Sequence, residues 1–198
     1  VEKLKMKHII IGYDHRFGKG REASVTDLKN YASDYDFTVE EIQAQEIEKI
    51  AISSTKVRNS INNGDLKTTE KYLGRYFNLT GKVIKGDGLG KRIMYPTANI
   101  FIKEKYKIIP KDGVYLIKTF IKNKFYNGMM NIGHRPTIGA NEKSLEVHLF
   151  NFNKDIYGEQ ISVDIISKIR DEKKFSSIEA LKDQLVKDEN HCLKLINK

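Results

Sequence analysis

The run GVYLIKTFIKNKFYNGMMNI, residues 113–132, decides how this chain is read. It holds two β-rich stretches, 113–121 and 124–132, parted by the turn former Asn123. Four more stretches of the same kind lie around it, at 79–85, 97–102, 144–152 and 160–170. Gly86-Asp87-Gly88, Pro110-Lys111-Asp112-Gly113 and Asn153 punctuate them. Six short strands without intervening helices predict a small antiparallel barrel. The end of the chain reads as a helix. Ser176 and Glu179 have capping-box spacing, and Ile178, Leu181, Leu185 and Cys192 fall near one face that packs on the barrel.

Upstream the rhythm changes. Lys7 to Gly12 is a short apolar run stopped by Gly, as a buried parallel strand would be. A polar, Gly-containing loop follows from Tyr13 to Ser24, and Phe37 to Ile42 is a second strand candidate. Ser53-Ser54-Thr55 offers N-caps ahead of Val57, Arg58 and Ile61 on one helical face, and Asn63-Gly64 stops that helix. Asp65 caps the next, which carries Leu66, Thr69, Tyr72 and Leu73 and ends at Gly74. This alternation predicts part of an α/β nucleotide-binding fold. The chain therefore divides into residues 1–78 and 79–198, α+β overall. It starts at Val1 and enters a strand almost at once, so we expect an N-terminal portion to be missing.

Composition narrows the function classes. With 198 residues and 39% hydrophobic content, the chain can bury a core. Its net charge of +9 (35 Lys+Arg less 26 Asp+Glu) is spread along the chain. A basic surface can attract nucleic acid or, equally, a polyphosphate substrate. No apolar stretch reaches the roughly 18 residues a membrane span needs, and the N-terminal apolar run is too short for a secretory signal. The single cysteine, Cys192, cannot pair within the chain. A reducing, cytoplasmic location is the expectation.

Three elements carry chemistry. In Gly86-Asp87-Gly88-Leu89-Gly90-Lys91-Arg92, three glycines in five residues let backbone N–H groups approach a ligand, and two cations follow. The loop is not a Walker A sequence and no helix is expected after it; a flexible hairpin is the alternative. In Tyr95-Pro96-Thr97-Ala98-Asn99, Thr97 and Asn99 point to the same side of a strand. A hydroxyl and an amide oxygen are neutral hard ligands for a Mg²⁺ whose anionic partners are phosphates. They could instead be two polar residues facing water. In Leu145 to Phe152, Glu146 shares a face with His148, Phe150 and Phe152. A carboxylate desolvated among aromatics makes a better base, whereas on an edge strand it would face solvent. A lone histidine such as His148 is usually structural.

The order of these motifs resembles the riboflavin kinase family. It runs from the Gly-rich loop and Pro96-Thr97-Ala98-Asn99 through Pro-Lys-Asp-Gly-Val-Tyr (110–115) and Asn-Ile-Gly-His-Arg-Pro-Thr (131–137). Glu-Val-His-Leu-Phe (146–150) and Ile-Tyr-Gly (156–158) complete it. The resemblance covers residue 79 to about 195. It implies a six-stranded Greek-key barrel with a C-terminal helix, binding ATP-Mg²⁺ at one side and riboflavin at the other. By resemblance, Thr97 and Asn99 serve ATP-Mg²⁺, and Gly86, Lys91 and Arg92 line the phosphates. Glu146 becomes the base for the ribityl 5′-hydroxyl, and Arg170, Lys173 and Phe175 belong to the segment that closes over the flavin. Three positions depart from the family pattern: Lys91 stands for Arg, Met94 for Gly and Tyr95 for Phe. Lys keeps the charge of Arg but loses its bidentate fork, and Met94 is expected to restrict the loop.

The cation-rich stretch from Gly12 to Glu22 and the helix start Ile52-Ser53-Ser54-Thr55-Lys56-Val57-Arg58 each suit an anionic ligand. A solvated loop and an ordinary cap are the alternatives. Together they resemble the FAD synthetase (FMN adenylyltransferase) domain of bacterial bifunctional enzymes, a Rossmann-like α/β nucleotidyltransferase. His15 and Ala23 depart from that family's usual Phe and Gly. The resemblance puts Asp14, Arg16 and Phe17 at the flavin nucleotide, and Ser53, Ser54, Thr55 and Arg58 near ATP phosphates. The family's His-containing motif is not in this sequence, so the 198-residue chain alone is expected to lack adenylyl transfer. The expected small molecules are ATP, Mg²⁺, riboflavin, FMN and FAD, with no nucleic acid, no membrane, and a monomer or weak homo-oligomer. A nucleic-acid-binding barrel and a passive flavin-binding module are the competing readings. Aromatic and basic residues are not interleaved in a stacking pattern, which counts against the first.

Overall fold

The structure, a computed structural model, describes residues 5–43, 46–47, 50–86, 88–134 and 143–197. Two compact units divide between Ile52 and Ser53, earlier than the change of sequence rhythm at residue 78.

In the first unit, β1 (His8–Gly12) pairs in parallel with β2 (Thr38–Ile42), and α1 (Val25–Asp34) lies between them in sequence. Ile11, Val25, Leu28 and Phe37 form its core. No element is assigned to residues 25–36 from the sequence alone. A capping box starts α1 there: Ser24 Oγ accepts the Asp27 N–H, and Asp27 Oδ2 accepts the Ser24 N–H at 2.7 Å. β1 is half-buried rather than buried. Ile11 faces the core, whereas Ile10 is 57% exposed, because α1 covers one face of a two-stranded sheet. Two short strands, β3 (Glu46–Ile47) and β4 (Ile50–Ala51), pair antiparallel.

The second unit opens with α2 (Ser54–Asn63) and α3 (Leu66–Leu73). Ser53 and Asp65 cap them, and Gly64 and Gly74 end them in left-handed conformations, as the sequence predicts. Leu66 joins the barrel's hydrophobic core, which explains why these helices fold with the barrel.

Six strands close the barrel: β5 (Phe77–Ile84), β6 (Ala98–Phe101), β7 (Gly113–Ile121), β8 (Lys124–His134), β9 (Lys143–Leu149) and β10 (Gln160–Arg170). Their order around it is β10-β5-β6-β9-β8-β7, every pair antiparallel. Side chains alternate between the two faces of a strand. Tyr115, Met130, Val147 and Val163 fill the interior. Val114, Leu116 and Met129 point outward, where α5 (Ile178–Ile196) covers them with Cys192.

The helix cap is Ser177, one residue beyond the expected Ser176, with its hydroxyl accepting the Ala180 N–H at 3.1 Å. Ile178 is exposed, because the buried face begins a turn later. A second departure lies beyond β9. That strand ends at Leu149 and Asn151 adopts φ 53°. Phe152 therefore leaves the face of Glu146 and packs on the interior cluster, edge-on to Tyr126.

Candidate active site

Register places the site. Asn99 on β6 lies opposite Glu146 on β9, which lies opposite Asn131 on β8. Asn131 lies opposite Val114 on β7, and Val114 opposite Arg170 on β10. Direct cross-strand partners share a face. Since Val147 and Tyr115 occupy the interior, this row runs across the outside of the barrel. Two register slips in β10, at Ile165/Ser167 and at Lys168/Arg170, bring Arg170 opposite Val114.

A cleft of about 240 Å³ opens over this row from Glu146 to Arg170, whereas Asn99, buried at its other end, does not line it. Thr97, Asn131 and Glu146 line it together with Arg170, Lys173 and Phe175. Glu146 is partly exposed, and its cross-strand neighbours are two amides. Positioning, rather than burial among aromatics, is what the strand pairing gives it. His148, next on the same face, meets the Pro96 carbonyl at 2.8 Å through Nδ1 and stacks obliquely on Tyr95 at 5.0 Å.

The loop before β6 forms one wall. It contains a single helical turn, α4 (Leu89–Arg92), where no helix was expected. Gly90 makes it compact: its carbonyl accepts from the Tyr95 N–H at 2.8 Å, and a Cβ there would come within 2.3 Å of the Tyr95 carbonyl oxygen. At Gly86 an added Cβ would fall 2.0 Å from Asn99 Nδ2, so the loop base rests directly on the buried amide. Met94 has φ 68°. That left-handed conformation favours Gly, and it strains a side chain with a Cβ. Arg92 is exposed and does not line the cleft; the Lys91 side chain, Asp87 and residues 135–137 lie outside the described residues.

The opposite wall is the segment after β10. The Arg170 guanidinium is held by Asp188 of α5: Nε donates to both carboxylate oxygens at 3.0 and 2.9 Å, and Nη2 lies 2.8 Å from Oδ2. Its remaining face stacks on Phe175 at 5.7 Å. Arg170 thus lines the cleft mainly as an anchor, and Lys173 is the exposed cation of this wall. Tyr95 closes the corner, its hydroxyl donating to Glu189 Oε2 at 2.9 Å. Burial first, then Glu189, pushes the Tyr95 phenol up to about 12.

A second cleft of about 390 Å³ lies beside the first, lined by Pro96, Thr97, Phe152, Lys154 and Tyr157 among others. Thr97 lines both. Thr97 and Asn99 suit a hard cation by donor chemistry, a hydroxyl and an amide oxygen two residues apart at the mouth of β6. Among the described residues no group of three His, Cys, Asp or Glu side chains is poised to hold a metal. Two neutral oxygen donors fit a hard cation whose charge is balanced by phosphate oxygens.

The other candidate residues are distributed between the units. Asp14 and Arg16 are exposed and Phe17 half-buried in the first, where Phe17 bridges to Ala23. Ser53, Ser54, Thr55 and Arg58 are exposed at the start of α2 in the second. The Ser53 hydroxyl is occupied as a cap, accepting the Lys56 N–H at 3.3 Å.

The second unit is thus a closed six-stranded antiparallel barrel with one cleft on its outer face and a second, lined partly by the core residues Val83 and Val147, that shares Thr97 with it. Residues 73–196 match the riboflavin kinase family and residues 1–56 match the FAD synthetase family. The chain belongs to the riboflavin kinase family. It is 41% identical over 192 residues to the bifunctional riboflavin kinase/FMN adenylyltransferase of Buchnera aphidicola subsp. Schizaphis graminum, covering 95% of this chain and 61% of that protein. It is 37% identical over 190 residues to the Escherichia coli K12 protein of the same name, covering 96% and 60%. A solved structure from Streptococcus pneumoniae, described as a macrolide-efflux protein, superposes with a TM-score of 0.80 at 39% identity, over 91% of this chain and 59% of that one. The chain thus spans about 60% of the length of these curated relatives. Among the described residues no helix is long and apolar enough to cross a membrane.

Proposed function

We propose that this chain transfers the terminal phosphate of ATP to the ribityl 5′-hydroxyl of riboflavin, giving FMN and ADP. One observation carries the reading: Thr97 lines both clefts, and Glu146 faces one of them. Riboflavin lies in the cleft of Glu146, Lys173 and Phe175, and the nucleotide in the cleft of Pro96, Lys154 and Tyr157. Glu146 orients the 5′-hydroxyl and accepts its proton as the oxygen attacks phosphorus, ADP being the leaving group. Thr97 and Asn99 hold Mg²⁺, with Gly86, Lys91 and Arg92 contributing amide and cationic contacts to the phosphates. When bound, the ion neutralises charge on the phosphates. Arg170 fixes the wall that carries Lys173 and Phe175.

By function we assign residues 1–78 to adenylyl transfer and 79–198 to the kinase, although α2 and α3 fold with the barrel. The match of residues 1–56 to FAD synthetases supports adenylylation of FMN to FAD by the whole protein, with Asp14, Arg16 and Phe17 at the flavin nucleotide and Ser53, Ser54, Thr55 and Arg58 at ATP. A cytoplasmic monomer or weak homo-oligomer that binds no nucleic acid completes the reading. The test is incubation of the 198-residue chain with riboflavin, ATP and Mg²⁺, followed by separation of the flavins. FMN without FAD is the expected product. Absence of FMN overturns the kinase reading, and appearance of FAD overturns the inactivity of residues 1–78.

A further inference from the structure

Both walls of the flavin cleft are fastened to one turn of α5. Asp188, 2% exposed, accepts from Arg170 at 2.9–3.0 Å and from Gln184 Nε2 at 2.8 Å. Arg170 in turn donates through Nη1 to the Asp171 carbonyl at 3.0 Å and carries Phe175 against its face. The next residue, Glu189, accepts from the Tyr95 hydroxyl at 2.9 Å. Tyr95 stands two residues before Thr97, and the Pro96 carbonyl between them is held by His148. Successive helical residues point about 100° apart. The two adjacent carboxylates therefore reach different loops from a single backbone position. The raised proton affinity of Tyr95 keeps its hydroxyl a donor throughout the neutral range.

We propose that Asp188 and Glu189 are positioning residues that clasp the two walls together, so that a nucleotide ordering the Thr97 loop tightens the cleft for riboflavin. This rests on the kinase reading above. A loop already ordered by one ligand costs the second ligand less to order, and α5 is the rigid part that links them. Neither carboxylate touches a reacting atom; Glu189 acts through Tyr95, and Asp188 through Arg170.

The readout is the ratio of riboflavin dissociation constants without and with a non-hydrolysable ATP analogue plus Mg²⁺, measured by flavin fluorescence. The parent chain is expected to bind riboflavin about tenfold more tightly with the analogue present, within the usual range of coupling between sites. Tyr95→Phe keeps the ring and removes only the hydroxyl, and Glu189→Gln keeps the volume. Each is expected to reduce the ratio to about twofold, and the double variant to reduce it no further. A purely structural role would weaken riboflavin alike in both conditions and leave the ratio intact. An unchanged ratio in either variant, or a parent ratio near one, overturns the clasp while FMN formation still stands. Failure of the parent chain to form FMN overturns both readings.

Discussion

Substitution of Gly86 by Ala tests how closely the loop proposed to hold phosphate is fitted to the strand proposed to hold the metal. The new Cβ would lie 2.0 Å from Asn99 Nδ2 and 2.8 Å from its Cγ. Ordinary contact between such atoms begins near 3.5 Å, so loop and amide must separate by more than about 1 Å. Asn99 is 5% exposed and sits on β6 between β5 and β9, so its backbone is not free to retreat. Misplacement of about 1 Å at a reacting centre costs about 10²-fold in rate, equivalent to about 2.7 kcal/mol of barrier. Gly86 is not among the residues with positive φ, so Ala is tolerated by the backbone itself. The overlap with the buried amide is what costs stability, by about 1–3 kcal/mol. The assay is steady-state FMN formation at varied ATP, with thermal unfolding alongside. Turnover within about threefold of the parent would show that Asn99 and the loop base need not be held together, and would refute the assignment of both to the phosphate site.

Four further outcomes are expected. Glu146→Gln should lower kcat by about 10²-fold or more while riboflavin binding, followed by fluorescence, persists; retained kcat would remove Glu146 from the base role. Met94→Gly should raise stability by about 1 kcal/mol in urea unfolding, because the residue holds φ 68° at an exposed position. Asp188→Ala should cost about 3–5 kcal/mol by the same measurement, since it strands the Arg170 guanidinium in a place shaped for its partner. The alkaline limb of stability has a definite sign: burial raises Cys192 from 9.0 to about 12, and burial with Glu189 raises Tyr95 from 10.0 to about 12. Above pH 9 the folded chain keeps protons that the unfolded chain loses. Melting temperature should hold below pH 9 and fall as pH climbs toward 12.

Local signals were the ones the sequence carried clearly. Ser53, Asp65, Gly64 and Gly74 act within a few residues of themselves, and each stands where its helix begins or ends. The strands of the barrel were legible through their turn formers, because hairpin registers depend on neighbouring residues. Thr97, Glu146, Arg170, Lys173 and Phe175, drawn from three separate motifs, line one cleft. What escaped depends on partners distant in sequence. Asp188 reads as one more helix-surface acid until Arg170, 18 residues earlier, is seen to reach it. Asn131 gains its place only from the pairing of β8 with β9. The Tyr95 hydroxyl was treated as a variation on Phe, whereas it reaches Glu189, 94 residues away. Phe152 was misassigned because a period of two fails once Asn151 turns the chain. The α1 helix was missed despite its Ser24–Asp27 cap, as Val25 and Leu28 alone give too little apolar periodicity to stand out.

The docking of α2 and α3 on the barrel has a consequence for where the chain could be divided. Leu66 is part of the barrel's interior, and the Tyr115 hydroxyl lies 3.0 Å from where a Cβ on Gly64 would be. A gene cut at residue 79 would leave a hole in the kinase core, whereas a cut after Ile52 would leave that core whole. The hydroxyl-rich helix start at Ser53 would then travel with the barrel, so if the proposed role of that helix in adenylyl transfer holds, both halves of a divided protein would need a copy of it.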